Sequence, residues 1–228
     1  FIAHPIGKHL LEWLCAKRPV EDAKSLLFDV YIQTLSQLLR VVSERGHGAS
    51  IIIVPDVKQA FAKTLTTTKY PFISDFRMSE CLEDVRAVNA RRGHKKRETV
   101  LENLKVRLAA VAQLACIDGA LLLTPELEPI SFATTLRADK WSGTVITGPS
   151  LNITGPSMTK SRGGDSFPVW SLGTRHNSTV DFVGACDGAV GFVVSADGPV
   201  RGFVRRDSQV ILCWPDCRQS AHAWHMGS

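Results

Sequence analysis

The sequence predicts a single α/β domain in which a mixed β-sheet is flanked by helices, with an N-terminal helical extension. Three observations support this fold class. Helices and a strand alternate in the first half, short apolar strands dominate the second half, and the composition is that of an ordinary globular protein. The 228 residues are 44% hydrophobic and 21% charged, which supplies a core and excludes collagen-like, coiled-coil and disordered classes.

The first half of the chain carries the helical patterns. Residues 20 to 45 have apolar positions at helical spacing, and Ser50 to Val54 is a β-branched run that predicts a buried strand. Residues 75 to 92 are amphipathic, and helical spacing continues from Glu98 to Leu114. A helix followed by a strand and two further helices is typical of an α/β domain.

The second half predicts mostly strands. Apolar runs bounded by turn residues predict strands at Cys116 to Thr124, Ile130 to Thr135, Ala189 to Ser195, Val200 to Val204 and Gln209 to Cys213. A short helix is expected after the segment Gly173 to Thr179 and before the Ala189 strand. The sheet is therefore expected to draw most of its strands from this half.

The expected domain organisation is a helical extension over residues 1 to 24, one domain over 25 to 212 and a tail over 213 to 228. Residues 137 to 168 are rich in Gly, Ser, Thr and Pro. That composition predicts irregular chain, and so much of it inside a compact domain indicates a functional loop or a mobile one.

Charge favours a phosphate-bearing ligand without requiring a nucleic acid. The formal net charge is +5, and residues 91 to 97 form a basic stretch that we interpret as a solvated helix junction. No aromatic residues interleave with these charges to stack on bases. Nucleic acid is therefore not the expected partner. The alternative, a nucleic-acid-binding module built on this stretch, predicts salt-dependent oligonucleotide binding.

Cysteine use and hydropathy indicate a cytoplasmic location without membrane contact by this part of the chain. The six cysteines are scattered, and most lie in apolar runs, which suits a reducing compartment. No apolar run reaches the roughly 18 residues of a spanning helix. Cys213 and Cys217, with His222 and His225, are alternative zinc ligands, although their spacing is not that of a usual zinc knuckle.

The segment Gly173-Thr174-Arg175-His176 has the residue types of a phosphate site. It stands just before a predicted helix, where free backbone N–H groups and the helix dipole attract anions. Arg175 can bind two phosphate oxygens at once, and His176 can add a hydrogen bond. The alternative is a surface arginine and a capping histidine at a helix start.

Asp118 stands at the mouth of a very apolar strand and is followed by Gly119 and Ala120. A carboxylate there must be solvated, paired or bound to a metal, and the glycine permits close approach of a ligand. The alternative is a turn aspartate. A second Asp-Gly-Ala begins at Asp187, and we interpret it as structural.

The order of these motifs resembles the diadenylate cyclase (DAC) domain family. The matches are sharp at Asp118-Gly119-Ala120 and at Gly173 to His176, and softer at Ser195 to Gly198. Elsewhere between about residue 25 and about residue 210, the chain matches the family only in its general sequence pattern. The resemblance implies a mixed sheet flanked by helices and a face-to-face homodimer. In the family, each domain holds one ATP, and the two ATP molecules condense to cyclic di-AMP and pyrophosphate.

The resemblance also implies roles for individual residues. Asp118, with Gly119 and Ala120, would form the catalytic motif, in which Asp118 helps to bind Mg²⁺ or Mn²⁺ and to activate the 3′-hydroxyl. The nucleotide-binding residues it implies are Gly173, Thr174, Arg175 and His176 at the phosphates, Ser195 at the triphosphate, and Thr134 and Leu136 beside the adenine.

The chain departs from the family at two positions of the site. Asn177 stands where active members usually have a second arginine, and Ala196-Asp197 replaces a Glu-Glu pair that serves the metal. Asp197 is then the remaining candidate for the second metal ligand, and it is shorter. A weakened metal site harms phosphoryl transfer more than it harms binding.

Two functions follow from the resemblance. The first is a DAC-like domain that binds ATP or a nucleotide-derived signal and acts as a sensor module of a larger protein. The alternative is an active diadenylate cyclase with a divergent site, in which Asp197 serves the metal and Lys140 or Arg162 replaces the missing arginine. Both predict an ATP-sized site formed by residues that lie far apart in the sequence.

Overall fold

The structure is a computed structural model that describes residues 24–66, 77–91, 94–147, 166–167, 173–196 and 199–217. Its helices are α1 (Lys24–Glu44), α2 (Val57–Ala62), α3 (Met78–Arg91), α4 (His94–Ala115) and α5 (Thr174–Ala185). Its strands are β1 (Ala49–Ile53), β2 (Thr64–Thr66), β3 (Ala120–Leu123), β4 (Pro129–Leu136), β5 (Thr144–Thr147), β6 (Ser166–Phe167), β7 (Val190–Val194), β8 (Val200–Arg205) and β9 (Val210–Trp214).

The strands form one mixed sheet in the order β2-β4-β3-β1-β7-β8-β9-β5-β6. β1 pairs with β3 and β5 pairs with β9 in parallel, whereas the other neighbours are antiparallel. The predicted fold class, an α/β domain with a mixed sheet, is therefore confirmed.

Helices cover both faces of the sheet, and the alternation of β1 shows why. Ile51 and Ile53 point into a buried cluster that includes residues of α1, α3 and α4. Ile52 and Val54 point into a second cluster that includes residues of α5. Successive strand residues face opposite sides, and here both sides need an apolar partner. The β-branched run in the sequence is fully buried for this reason.

Helix α5 lies very close to the sheet because Gly191 in β7 has no side chain. A Cβ added at Gly191 would lie 2.4 Å from Cγ2 of Thr179 in α5. The Thr179 hydroxyl also donates a hydrogen bond to Oγ of Ser50, over 3.3 Å. Both threonine and serine are buried, so this contact sets the height of α5 above β1 and β7.

The prediction of an irregular loop over residues 137 to 168 was wrong in part. β5 and β6 lie within that range, and β5 extends the sheet by pairing with β9. β5 has four residues, of which only Val145 is fully buried. The strand conformation of β5 therefore depends on its pairing with β9, which is distant in the sequence. The hydrophobic pattern of the four residues alone does not predict it. Residues 148–165 lie outside the described ranges.

Several other predictions also fall outside the described ranges, namely those for the helical extension before residue 24, for Arg162, for Asp197, and for His222 and His225. β9 continues to Trp214, so the sheet extends past the boundary expected at residue 212. Within the described ranges, no helix combines the length and the apolar character required to cross a bilayer.

The contact between α5 and β7 predicts a measurable coupling. We expect Gly191→Ala to lower the free energy of unfolding by about 1–3 kcal/mol, because overpacking a buried contact has this effect. Thr179→Ser removes the Cγ2 methyl group and keeps the hydroxyl, so the double variant should recover most of the loss. Urea denaturation of the four proteins measures this coupling, and purely additive effects would contradict the predicted contact.

Candidate functional site

Three segments, which contain Gly48, Asp118 and Ser195, lie at the same end of the sheet. β1 and β3 are parallel, with Ser50 beside Ala120, so Gly48 and Asp118 precede their strands at the same end. β7 is antiparallel to β1, with Val194 beside Ala49. Ser195 therefore follows β7 at this end too. We call this region, defined by Gly48, Asp118 and Ser195, the site end of the sheet.

Arg175 reaches the site end from the first turn of α5. Its Nη2 atom lies 3.5 Å from Oδ1 of Asp118, although 57 positions separate the two residues in the sequence. The Arg175 side chain is 50% exposed and the Asp118 side chain 98% exposed. An exposed ion pair at this distance contributes little to stability. Both charges consequently remain accessible to a ligand.

Gly48 provides the space for the arginine. A Cβ added at Gly48 would lie 2.8 Å from Nη1 of Arg175 and 3.6 Å from the carbonyl oxygen of Val194. Any side chain at this position would therefore displace the guanidinium group. Gly48 is not among the site residues predicted from the sequence. Its position directly before a buried strand was the available signal.

Gly119 shapes the turn that presents Asp118. Its φ angle is 110°, in the region that favours glycine. A Cβ added there would lie 2.6 Å from the backbone carbon of Ala133. Ala133 itself has a φ angle of 50°, at an irregularity in the pairing of β3 with β4. Two unusual backbone conformations therefore meet directly beside the predicted catalytic motif.

The predicted adenine contacts lie on β4. Thr134 pairs with Ala120 in the sheet register and is 1% exposed. Its Oγ1 is 2.5 Å from Oγ of Ser131, so its hydroxyl is already engaged within the strand. Leu136 is half-buried and packs against the cluster beneath α5. The adenine-side role of Thr134 and Leu136 stays a prediction.

His176 faces the sheet. It is 8% exposed, and its Nε2 atom lies 3.0 Å from Nη1 of Arg201 on β8. Its ring meets that of Phe203 edge to face, with centroids 6.2 Å apart. Burial, followed by the Arg201 charge, lowers the pKa of His176 to about 4. At neutral pH the imidazole is uncharged, and because arginine only donates, Nε2 accepts the hydrogen bond.

The remaining predicted phosphate residues surround the start of α5. Gly173 is the N-cap and makes no side-chain cap hydrogen bond, which leaves backbone donors of the first turn unpaired by a cap. Thr174 is exposed and Ser195 is half-buried. Oδ1 of Asn177 is buried without a hydrogen-bond partner among the described residues. The positions of Gly173, Thr174 and Ser195 are compatible with phosphate contacts, which stay predictions, whereas the Asn177 oxygen is an acceptor and does not bind a phosphate oxygen.

Asp118 and Asp197 are the two predicted metal ligands, and Asp118 is the one that lies within the described residues. Among the described residues, no three histidine, cysteine, aspartate or glutamate side chains come together as a metal cluster. Mg²⁺ bound with a nucleotide commonly uses one or two carboxylates and completes its shell with phosphate oxygens and water. Asp118 fits such a shared site, whereas it does not by itself make a site independent of a nucleotide.

The alternative zinc site lacks support in the described residues. Cys213 and Cys217 are both free and buried. Burial raises the pKa of the Cys213 thiol to about 12 and raises that of Cys217 as well. Zinc binds the thiolate form, so a metal at this pair would have to offset the cost of deprotonating two buried thiols. The two histidines of that hypothesis lie outside the described ranges.

The second Asp-Gly-Ala has a structural contact, as expected. Asp187 forms an ion pair with Arg205, which also donates a hydrogen bond to the Gly184 carbonyl oxygen over 2.7 Å. This cluster joins the last turns of α5 to the end of β8. It lies at the opposite end of the sheet from Asp118.

Comparisons with known proteins show only distant similarity. No protein-family model and no curated protein matches the chain. One similar solved structure is DacA from Staphylococcus aureus, solved as a double mutant, with 17% identity, a TM-score of 0.41, and coverage of 88% of this chain and 93% of that chain. Another is a hypothetical membrane spanning protein from Bacillus cereus, with 16% identity and a TM-score of 0.39.

The chain spans 61% of the Bacillus cereus protein while that match covers 79% of this chain. Both identities and both TM-scores are low, so neither similarity establishes a shared activity or a shared family. The structure itself shows a mixed α/β fold, and the candidate site is defined by its own contacts.

The buried imidazole predicts a pH dependence. The folded state holds the pKa of His176 at about 4, below its ordinary value of 6.5. Between these values the unfolded chain binds more protons, so the free energy of unfolding falls as pH decreases from 6.5 to 4. We expect this residue to account for roughly 3 kcal/mol at most.

The measurement is urea denaturation at several pH values for the wild-type chain and for His176→Gln, which does not titrate. The difference between the two proteins should shrink as pH falls through this window. Parallel profiles would show that His176 is not held in its neutral form.

Proposed function

We propose that this chain binds ATP or a nucleotide-derived signal at the site end of the sheet, as a DAC-like sensor module of a larger protein. The observation that carries the proposal is the exposed pairing of Arg175 with Asp118 at 3.5 Å. Two oppositely charged groups with little structural role stand together where the sequence motifs predict a nucleotide.

The charges at the site suit a phosphate. The first turn of α5 directs backbone N–H groups and the positive end of its dipole toward the same end of the sheet. Arg175 adds a guanidinium that binds phosphate oxygens through two parallel hydrogen bonds. Asp118 opposes an anion by itself, but a divalent cation carried by the nucleotide turns that repulsion into a contact. The arrangement therefore favours a metal-bound phosphate over a bare one.

Sensing is preferred to catalysis because of the residues that differ from the family. At Asn177, where the resemblance leads us to expect an arginine, the side-chain oxygen is buried and cannot replace a charged donor. Ala196 is exposed and offers no ligand for a metal. These differences remove a phosphate contact and a metal ligand that the resemblance leads us to expect. The loss of a metal ligand harms phosphoryl transfer more than it harms nucleotide binding.

Diadenylate cyclase activity is the second candidate. Its support is the 98% exposure of the Asp118 side chain, which leaves the carboxylate open to a metal and to a 3′-hydroxyl. Incubation with ATP and Mn²⁺, followed by chromatography, decides between the two. Cyclic di-AMP that disappears in Asp118→Ala would establish the cyclase, whereas ATP binding without product would support the sensor.

The proposal predicts the effect of removing the arginine. We expect Arg175→Ala to weaken ATP binding about 10- to 100-fold in calorimetry, since a hydrogen bond to a charged group contributes about 1.5–3 kcal/mol. The matched control is Arg206→Ala. Arg206 is also an exposed arginine paired with an aspartate, but it follows β8 at the opposite end of the sheet. Equal affinities for the two variants would overturn the site.

The carboxylate should act only through a metal. We expect Asp118→Ala to weaken ATP binding about tenfold or more in Mg²⁺ or Mn²⁺, and to leave it unchanged or tighter in EDTA, where the carboxylate only repels phosphate. Asp207→Ala is the control, because Asp207 is the exposed partner of Arg206. Loss of affinity in EDTA as well would show that Asp118 supports the fold of the site instead.

A further inference from the structure

A second arginine stands beside the first turn of α5. Arg201 pairs with Val193 across β8 and β7, and its neighbour Val200 pairs with Val194, the last residue of β7. Arg201 therefore lies near the end of the sheet that carries Ser195. Strand alternation places its side chain on the α5 face, as its hydrogen bond to His176 confirms.

The charge of Arg201 is not compensated within the described part of the chain. The described residues include no carboxylate in an ion pair with it, and its hydrogen bond goes to an uncharged imidazole. The residue is half-buried. Partial burial of a cation without an anion is costly. An anion bound beside this half-buried arginine would offset that cost.

His176 connects the two arginines. It follows Arg175 directly in α5, and its Nε2 atom lies 3.0 Å from Nη1 of Arg201. The Phe203 ring packs edge to face against the imidazole, so the acceptor is held in one orientation. Arg201 has five N–H donors, of which His176 occupies one. Among the described residues, His176 is the hydrogen-bond partner of this guanidinium group.

We propose that Arg201 is a second cationic contact for the phosphates of the ligand, and that His176 is the positioning residue that holds it. This inference rests on the proposed function, because it assumes that a phosphate-bearing ligand binds at the site end. It also supplies a source for the contact that Asn177 does not make. In this proposal the cation comes from β8, whereas the replacement by Lys140 or Arg162 stays a separate prediction.

The sequence carried a weak signal for this residue. Arg201 interrupts an apolar run between Val200 and Phe203, where a strand residue on a covered face is expected to be apolar. A charge at such a position needs a partner, and the sequence does not show which element supplies it. Only the pairing of β8 with β7 brings it to α5.

The test uses inorganic tripolyphosphate and ATP, each with Mg²⁺, in calorimetry on the full chain. Arg201→Gln is the informative variant, because its amide can still donate to His176 while the charge is lost. We expect tripolyphosphate and ATP to bind about 10- to 100-fold more weakly to this variant. The control Arg206→Ala should bind both ligands as the wild type does. A shared melting temperature shows that the fold is kept.

Two variants of His176 test the positioning role. His176→Ala removes the acceptor and should weaken both ligands severalfold, whereas His176→Gln keeps an acceptor and should restore most of the affinity. Equal affinities for these two variants would show that the histidine does not position Arg201.

The outcomes separate the two proposals. Wild-type affinity in Arg201→Gln, together with a loss in Arg175→Ala, would overturn the inference and leave the proposed function intact. No binding of either ligand to the wild-type chain would overturn both. A loss in Arg201→Gln that matches the loss in Arg175→Ala supports both.

Discussion

Parallel pairing between β1 and β3 brings Gly48 and Gly119 to the same end of the sheet, and the contacts of the candidate site depend on that register. One glycine leaves space for the Arg175 guanidinium, and the other allows the turn that presents Asp118. A shift of one residue would turn the side chains of the shifted strand to the opposite face. Such a shift of β1 would move Ser50 to the face opposite Thr179, whose hydroxyl donates to it.

Helix α5 is the element that converts this backbone frame into a charged site. Its buried face is held at a fixed height by the contact of Thr179 with Gly191. Its first turn then places one arginine toward Asp118 and one neutral histidine toward the sheet. Helix α5 therefore combines an exposed arginine, a packing contact and a hydrogen-bond acceptor, which accounts for several of its polar residues.

The opposite end of the sheet offers a useful contrast. There Arg205 is neutralised by Asp187 and by the carbonyl oxygen of Gly184, so the charges satisfy each other within the fold. At the site end, the Arg175 pair is long and exposed, and Arg201 is held by an uncharged imidazole. Positive charge that the described residues leave exposed or without a carboxylate in close contact is the physical basis for proposing an anionic ligand at this end.

The sequence by itself determined the fold class, the long helices, most strands and the motifs around Asp118 and Arg175, because these depend on local periodicity and residue chemistry. It did not reveal β5, whose four residues depend on pairing with β9. It also did not reveal that Gly48 and Arg201 adjoin the motifs, or that His176 is buried and neutral. Only the tertiary structure decided these points, since register, burial and the approach of α5 join residues that no sequence spacing relates.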